Sequence, residues 1–291
     1  MCPTGYPVVA TRNWRSAFLP GIFQGTYIDT QYTEIDKLIA NIRNSEIPLP
    51  QQRKQLDFVA QLNRRHLVER RGAAALESRI RSFELAFRMQ TESAEAFDIN
   101  RETKAAQAMY GIDQDATREF GTRCLIARRL VERGVRFIQL FTKNQYWDHH
   151  GSIQTSLPRS CQKVDRPAAA LVADLKQRGL LDTTVVHWGG EMGRLPVIQN
   201  DTGIANFGRD HNTYGFSMWV AGGGFKAGGT YGTTDEFGHR AVDNIVNHYD
   251  YHKTLLHLFG LSAEALTYKQ NGRLQTLLDG QPGKVIPGLL A

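Results

Sequence analysis

The sequence predicts an α/β fold in which helices flank a largely parallel sheet. Three short apolar runs have strand character: VRFIQLF at 135–141, LLDTTVVHW at 180–188 and FSMWVAGGG at 216–224. Helical patterns over 165–178 and 248–260 follow the first and the third of these runs. Strands and helices that alternate with crossovers of this length are typical of parallel sheets.

The amino-terminal part, residues 1–115, is predicted to be an irregular and helical segment of the same domain. Residues 1–33 are rich in glycine, proline and aromatic residues and show no helical pattern. Over residues 48–92 apolar residues recur at helical spacing, with Gly72 as a candidate break between two helices. The apolar positions are Leu56, Val59, Leu62, Leu76, Ile80, Phe83 and Phe87.

The α/β core is predicted to span 116–291. Its first element is a helix over 116–133, and Gly134 is placed to end it. The apolar side of this helix is formed by Phe120, Cys124, Ala127 and Val131. The strands of the core follow this helix, and polar or glycine-rich loops follow the strands.

Composition indicates an ordinary globular protein. The chain has 291 residues, of which 41% are hydrophobic and 22% charged. No run approaches the roughly 18 apolar residues of a membrane span. The net charge is +6, but basic and acidic residues alternate along the same stretches, so the pattern does not favour a nucleic-acid groove. The three cysteines, Cys2, Cys124 and Cys161, are widely spaced and indicate neither a disulfide framework nor a thiolate zinc site.

Three unusual polar loops come after predicted strands, where open α/β sheets bind ligands. The first is WDHH at 147–150. Asp148 and His150 are two residues apart, so in an extended segment both side chains can point to one side. A carboxylate oxygen and an imidazole nitrogen suit zinc or manganese. The alternative is an Asp-capped turn with solvated histidines.

The second and third loops add more ligand candidates. In GGEMGR, Glu191 lies between flexible glycines, and Arg194 is a candidate for binding an anion. The alternative there is a salt bridge between Glu191 and Arg194. In GRDH, a carboxylate precedes a histidine, which suggests a metal ligand beside the group that orients it; the alternative is an exposed turn. The residues of this loop are Arg209, Asp210 and His211.

Together the loops predict a metal site with arginines nearby. Such a site fits hydrolysis or transfer of an anionic ester, with the cation as Lewis acid. His187, within a predicted strand, is interpreted as a core residue, and His252, shortly after Asp250 at a helix start, as a weaker candidate for orienting a ligand.

The three loops and several further segments together form a pattern that is typical of a known family. WDHH, GGEMGR, GRDHN, WVAGGGFKAGGTYGTTDEFG and the spacing DYHKTLLHLFG occur in that order, after NWRSAFLPGIFQGTYID, ESRIRSFELAFRMQ and CLIARRLVERGVRFIQL. The chain resembles the domain of unknown function 1501 family, which is abundant in planctomycete-type bacteria and is placed in the alkaline phosphatase/sulfatase superfamily. The resemblance covers essentially the whole chain and implies an alkaline-phosphatase-like fold.

The resemblance also implies a two-metal site. Asp148, His150 and His211 are expected to hold one divalent cation, zinc with manganese or calcium as alternatives. Glu191 is expected to bind the second, with an early aspartate and a hydroxyl nucleophile. Met192 stands where the superfamily commonly has a histidine, so the sequence departs from the pattern at that second site.

The family resemblance implies further expectations about the amino terminus. Relatives usually begin with an export signal, which points to the periplasm or cell surface, followed by the strand that carries the nucleophile. Neither is recognised in MCPTGYPVVATRNWRS, so the chain is expected to lack the amino-terminal part of its domain and to have little activity alone. The alternative function is a non-catalytic anion- or polysaccharide-binding or surface-associated protein.

Overall fold

The structure is a computed structural model of the chain. It describes residues 1, 14–16, 19, 23–32, 35–39, 42, 44–69, 80–81, 83–84, 87–88, 90, 95–142, 145–200, 203–278 and 280–291. Within them the protein combines helices and strands, as the sequence predicts. Cys2, Gly72 and Leu76, together with much of the predicted second helix, lie outside the described residues.

The helices of the described residues carry most of the regular structure. No helix among them is long and apolar enough to cross a membrane. The α-helices are α1 (Ile35–Leu38), α2 (Leu49–Glu69), α3 (Lys104–Met109), α4 (Asp115–Glu132), α5 (Ile153–Gln177) and α6 (His248–Leu258). Short 3-10 helices lie at Ile99–Arg101, Leu181–Thr183, Ile204–Asn206 and Pro287–Leu289.

The helices predicted over 116–133, 165–178 and 248–260 are confirmed, with one change of boundary. Helix α4 matches the predicted 116–133, with Cys124 buried on its inner side; it ends at Glu132, and Gly134, whose φ is +80°, follows its C-cap residue Arg133. Helix α6 begins with a capping box between Asn247 and Asp250, in which each side chain accepts from the backbone N–H of the other. Helix α5 begins at Ile153 instead of 165, and both Pro158 and Pro167 lie within it.

The strands are short and pair in twos. They are β1 (Val186–Trp188), β2 (Gly193–Arg194), β3 (His211–Asn212), β4 (Trp219–Ala221), β5 (Thr233–Thr234), β6 (Ala241–Asp243), β7 (Thr267–Gln270) and β8 (Arg273–Thr276). The pairs are β1 with β4, β2 with β3, β5 with β6 and β7 with β8, all antiparallel. The β7–β8 hairpin turns through Asn271 and Gly272, both with positive φ, as a tight two-residue turn requires.

The predicted parallel sheet is not seen among the described residues. The predicted strands at 180–188 and 216–224 are present as β1 and β4, but they run antiparallel. A parallel return needs a crossover, usually a helix, and the described residues between Trp188 and Trp219 contain no α-helix. The run 135–141 forms no strand; its Gln139 and Phe141 backbone groups bond Met1 instead, at 2.7 and 3.0 Å.

The chain divides into two compact units. Unit 1 comprises Met1–Tyr146 with Lys163–Ala168, and unit 2 comprises Trp147–Gln162 with Ala169–Ala291. In unit 1, the apolar side of α4 packs into a core, and Gly121 lets the helix approach Tyr110 so closely that a Cβ there would lie 2.2 Å from the Tyr110 carbonyl oxygen. The buried apolar residues of this core are Met1, Ile28, Leu38, Ile39, Ile42, Phe97, Ile126 and Ala127.

Unit 2 contains the four strand pairs and α6. Asp250, buried in the first turn of α6, accepts from the backbone N–H of Lys284 at 2.8 Å. One turn later the Thr254 hydroxyl accepts from the N–H of Ile286 at 3.1 Å. These two bonds fix the helix against the carboxyl-terminal segment, so α6 is held by satisfied polar groups as well as by apolar burial.

Candidate metal centre

The candidate centre lies in unit 2, where two backbone pairings bring distant segments together. Strand β2 pairs with β3 so that Arg194 lies opposite His211. The segment after Trp147 pairs with the segment before β3: the N–H of Arg209 donates to the carbonyl of His149 at 3.0 Å, and the N–H of Ser152 donates to the carbonyl of Asn206 at 2.9 Å. Asp148, His150, Arg194 and His211 therefore converge although they lie far apart in sequence.

Gly208 permits this convergence. A Cβ at residue 208 would lie 2.1 Å from the carbonyl carbon of His150 and 2.4 Å from the nitrogen of Gly151. Both neighbours are backbone atoms, which cannot rotate away as a side chain can. The glycine in GRDH is therefore required by the close approach of two chain segments, a role that the sequence pattern did not reveal.

Asp148, His150 and His211 form a compact group, referred to below as the Asp–His cluster. The Asp148 Oδ1 lies 2.9 Å from Nε2 of His150 and 3.0 Å from Nε2 of His211. One ligand atom from each residue lies within 4.8 Å of the other two. The side chains of Asp148, His150 and His211 are 24%, 39% and 41% exposed, so the cluster is open to solvent.

The donor set fits a divalent cation. One carboxylate oxygen and two imidazole nitrogens are the ligands of zinc sites that keep a position open for water or substrate. The exposure of the cluster leaves room for such a further ligand. The residues present therefore fit a zinc-like cation, and manganese also accepts this combination.

Arg194 is part of the same constellation. Its Nη2 donates to Asp148 Oδ1 at 2.6 Å and to the carbonyl oxygen of Trp147 at 3.4 Å. Burial acts to raise the pKa of Asp148, but the hydrogen bonds from Arg194 and His211 and the nearby positive charge outweigh it and lower that pKa. Asp148 is therefore ionised at neutral pH, as a ligand must be. The alternative of a Glu191–Arg194 salt bridge is not formed, because Arg194 pairs with Asp148.

Two polar residues that the sequence did not single out support the cluster. Gln199 places its Oε1 2.8 Å from Nδ1 of His150. Asn212, 1% exposed, donates to the carbonyl oxygens of Gly215 and His239 and accepts from the N–H of Tyr214 at 3.0 Å, which fixes the chain directly after His211. A single amide residue has no characteristic spacing, so neither role could be recognised from the sequence; the only hint for Asn212 is its position after DH.

His149 lies between two members of the cluster but faces elsewhere. Its Nε2 is buried and has no hydrogen-bond partner among the described residues. Burial, with the positive charge of Arg194 as the next cause, lowers the pKa of His149. The imidazole is therefore neutral at neutral pH, and it adds no charge beside Asp148.

The remaining predicted site residues lie around the cluster or apart from it. Glu191 is exposed in the bend between β1 and β2 and does not belong to the group of converging ligand atoms. Asp210 is 3.9 Å from Nδ1 of His150, and its carboxylate accepts from the backbone N–H of His211 at 2.7 Å. Arg209 donates to the carbonyl of Leu195 at 3.4 Å.

The histidines of β1 and α6 form a separate group. Nδ1 of His187 and the hydroxyl oxygen of Tyr251 are hydrogen-bonded at 2.6 Å. The ring centroids of His252 and Tyr251 lie 6.1 Å apart. Burial raises the pKa of Tyr251 to about 12. His187 is thus a hydrogen-bonded residue of the fold, although its side chain is exposed and not in the core. His252 is absent from the group of converging ligand atoms.

An open cleft of about 330 Å³ lies beside the cluster. Gln199 and Asp210 contribute to its wall, so the cleft borders the orienting partner of His150. Its other lining residues are Leu195, Val197, Ile198 and Asn200.

The fold and the cluster define a mixed helix and strand protein with a carboxylate–bis-histidine group at paired loops. The chain belongs to the family described as Protein of unknown function (DUF1501), whose model matches residues 1–290. The family resemblance of the sequence motifs is thereby confirmed. No curated protein and no solved structure matches the chain.

Proposed function

We propose that the protein is a metal-dependent hydrolase of anionic esters, phosphate or sulfate. The observation that carries the proposal is the convergence of Asp148, His150 and His211, whose ligand atoms lie within 4.8 Å of one another. These residues would hold the cation. A divalent cation there supplies Lewis acidity, which polarises an ester oxygen and lowers the pKa of water.

The charges around the cluster favour an anionic substrate. Asp148 is the only carboxylate of the cluster, and it already pairs with Arg194. A divalent cation on one carboxylate and two neutral imidazoles leaves an excess of positive charge, and Arg194 adds to it. Guanidinium groups bind phosphate and sulfate oxygens in a bidentate manner, so Arg194 and Arg209 are the proposed anion-binding residues.

The finer features implied by the family resemblance are also part of the proposal. A second cation would bind at Glu191, and members of the family would act at the periplasm or cell surface. Small anionic esters or sulfated and phosphorylated polymers would be the substrates.

The test combines cation content with turnover. We expect the purified protein, dialysed against zinc and then buffer, to retain the metal, and His211→Ala to lose it. His257→Ala is the matched control, since His257 is exposed on α6. Zinc-dependent turnover of an aryl phosphate or aryl sulfate that His211→Ala abolishes supports hydrolysis.

Two other outcomes separate the alternatives. Binding of zinc and of a sulfated polysaccharide without any turnover would replace the hydrolase by the non-catalytic anion-binding protein. Equal zinc retention by the wild type, His211→Ala and His257→Ala would remove the assignment of the Asp–His cluster as the metal centre.

A further inference from the structure

Gln199 has a fixed backbone close to the strand that carries His211. Its N–H donates to the carbonyl of Gly208 at 2.8 Å, and the N–H of Gly208 donates back to its carbonyl at 2.9 Å. This reciprocal pair forms an antiparallel bridge. Because Gly208 also packs against the backbone of His150, Gln199 and His150 are positioned by the same short piece of chain.

The side chain of Gln199 faces one particular nitrogen of His150. Its Oε1 is 2.8 Å from Nδ1, whereas Nε2 of the same ring lies 2.9 Å from Asp148 Oδ1. The Asp210 carboxylate also faces Nδ1, but at 3.9 Å it is beyond hydrogen-bond distance. Of the two acceptors beside Nδ1, Gln199 is therefore the one that makes the bond.

The chemistry of the two groups gives this contact a consequence. A neutral imidazole has one N–H and one lone pair, and the hydrogen bond made by one nitrogen decides which nitrogen can bind a cation. An amide oxygen only accepts, so it keeps the proton on Nδ1. Nε2 is then the nitrogen that shares a cation with Asp148 and His211.

We propose that Gln199 is the positioning residue for His150 in the metal centre. It holds the ring with Nε2 directed into the Asp–His cluster, and it does so without adding a charge. The assignment rests on the proposed metal-binding function. Residues that orient metal-binding histidines in this way typically contribute about 10- to 100-fold to metal affinity. An uncharged orienting residue also preserves the excess of positive charge that an anionic ester requires.

Zinc titration against a chromogenic chelator tests the proposal on the full chain. We expect Gln199→Ala to bind zinc about 10- to 100-fold more weakly than the wild type. Gln199→Glu restores an acceptor at the same reach and should recover most of that loss. Asn200→Ala is the matched control, because Asn200 lines the same cleft, and it should bind as the wild type does. Equal affinity of Gln199→Ala and the wild type would overturn the proposal.

A second readout separates positioning from general loosening of the loop. In the zinc-loaded wild type, nitrogen NMR of His150 should show a proton on Nδ1 and the metal on Nε2. Zinc on Nδ1 would overturn the proposal whatever the affinities are. A wild type that binds zinc with the expected ring geometry but turns over no ester would refute the hydrolase and leave Gln199 assigned. A wild type that binds no zinc would refute both the proposed hydrolase and the role of Gln199.

Discussion

Unit 1 and unit 2 each place an arginine on a carboxylate, but the surroundings of the two pairs differ. In unit 1, Arg128 and Arg129 share Glu102, and the arginine side chains are 1% and 6% exposed. Arg129 also donates to the carbonyl oxygens of Ala96 and Glu95. These residues are called the Arg–Glu cluster below. In unit 2, Arg194 and two histidines share Asp148, and every side chain of that group is at least 24% exposed.

The comparison contrasts a buried structural cluster with an exposed one that is proposed to bind a cation. The Arg–Glu cluster is buried, and Arg129 also bonds two backbone carbonyls while Arg128 also pairs with Glu132, so the cluster anchors helix α4. The Asp–His cluster is open to water and contains two imidazoles, whose nitrogens are common metal ligands. Charge alone therefore does not identify a site; exposure and exchangeable ligands do.

The largest expected effect comes from breaking the Arg–Glu cluster. Glu102→Gln leaves the buried guanidinium of Arg129 without its carboxylate and leaves Arg128 with Glu132 alone, which should lower the free energy of unfolding by about 3 kcal/mol, the low end for a broken buried ion pair. Chemical denaturation measures this change. Glu95→Gln is the matched control, because its ion pair with Arg101 is 55% exposed on both sides and should contribute at most about 1 kcal/mol. Equal destabilisation by the two variants would contradict the difference expected between the buried Arg–Glu cluster and the exposed Glu95–Arg101 pair.

The corresponding change in unit 2 should act on binding instead of stability. Asp148→Asn removes a cation ligand, and the loss of zinc affinity should reach at least about 100-fold, since even orienting residues contribute about 10- to 100-fold. The free energy of unfolding should change by less than about 1 kcal/mol, because the pair with Arg194 is partly solvated. Isothermal titration measures the zinc affinity, and chemical denaturation of the same sample measures the free energy of unfolding. A stability loss as large as that of Glu102→Gln would show that the Asp–His cluster is structural.

Gly208 lies in unit 2 where the backbone of its own segment contacts the backbone of His150. Gly208→Ala must displace the backbone at His150, and overpacking of this kind costs about 1–3 kcal/mol. It should also weaken zinc binding, because His150 moves away from Asp148. Gly229→Ala is the control, since a Cβ there meets nothing within 4 Å among the described residues. If Gly208→Ala retained wild-type zinc affinity, the close approach would not define the geometry of the cluster.

The sequence anticipates the ligands better than it anticipates the scaffold. The residues Asp148, His150 and His211 stand out because carboxylate and imidazole follow apolar runs, and the structure brings them together. That they bind a metal stays a prediction. The scaffold differs, because β1 and β4 return without a crossover helix and the convergence depends on antiparallel bridges. Gly208 and Gln199 could not be predicted, because their roles arise from contacts between segments tens of residues apart.

The smallest effect concerns the pH dependence of the Arg–Glu cluster. Burial acts to raise the pKa of Glu102, but its bonds to Arg128 and Arg129 outweigh burial and lower that pKa. A carboxyl group with a lowered folded-state pKa adds stability above its ordinary pKa and loses it as the pH falls through the folded value. The unfolding free energy of the wild type should therefore fall toward that of Glu102→Gln as the solution is acidified from neutral pH to below pH ~4. Denaturation curves across this range check the prediction, and a constant difference between the two proteins would show that Glu102 does not couple protonation to folding.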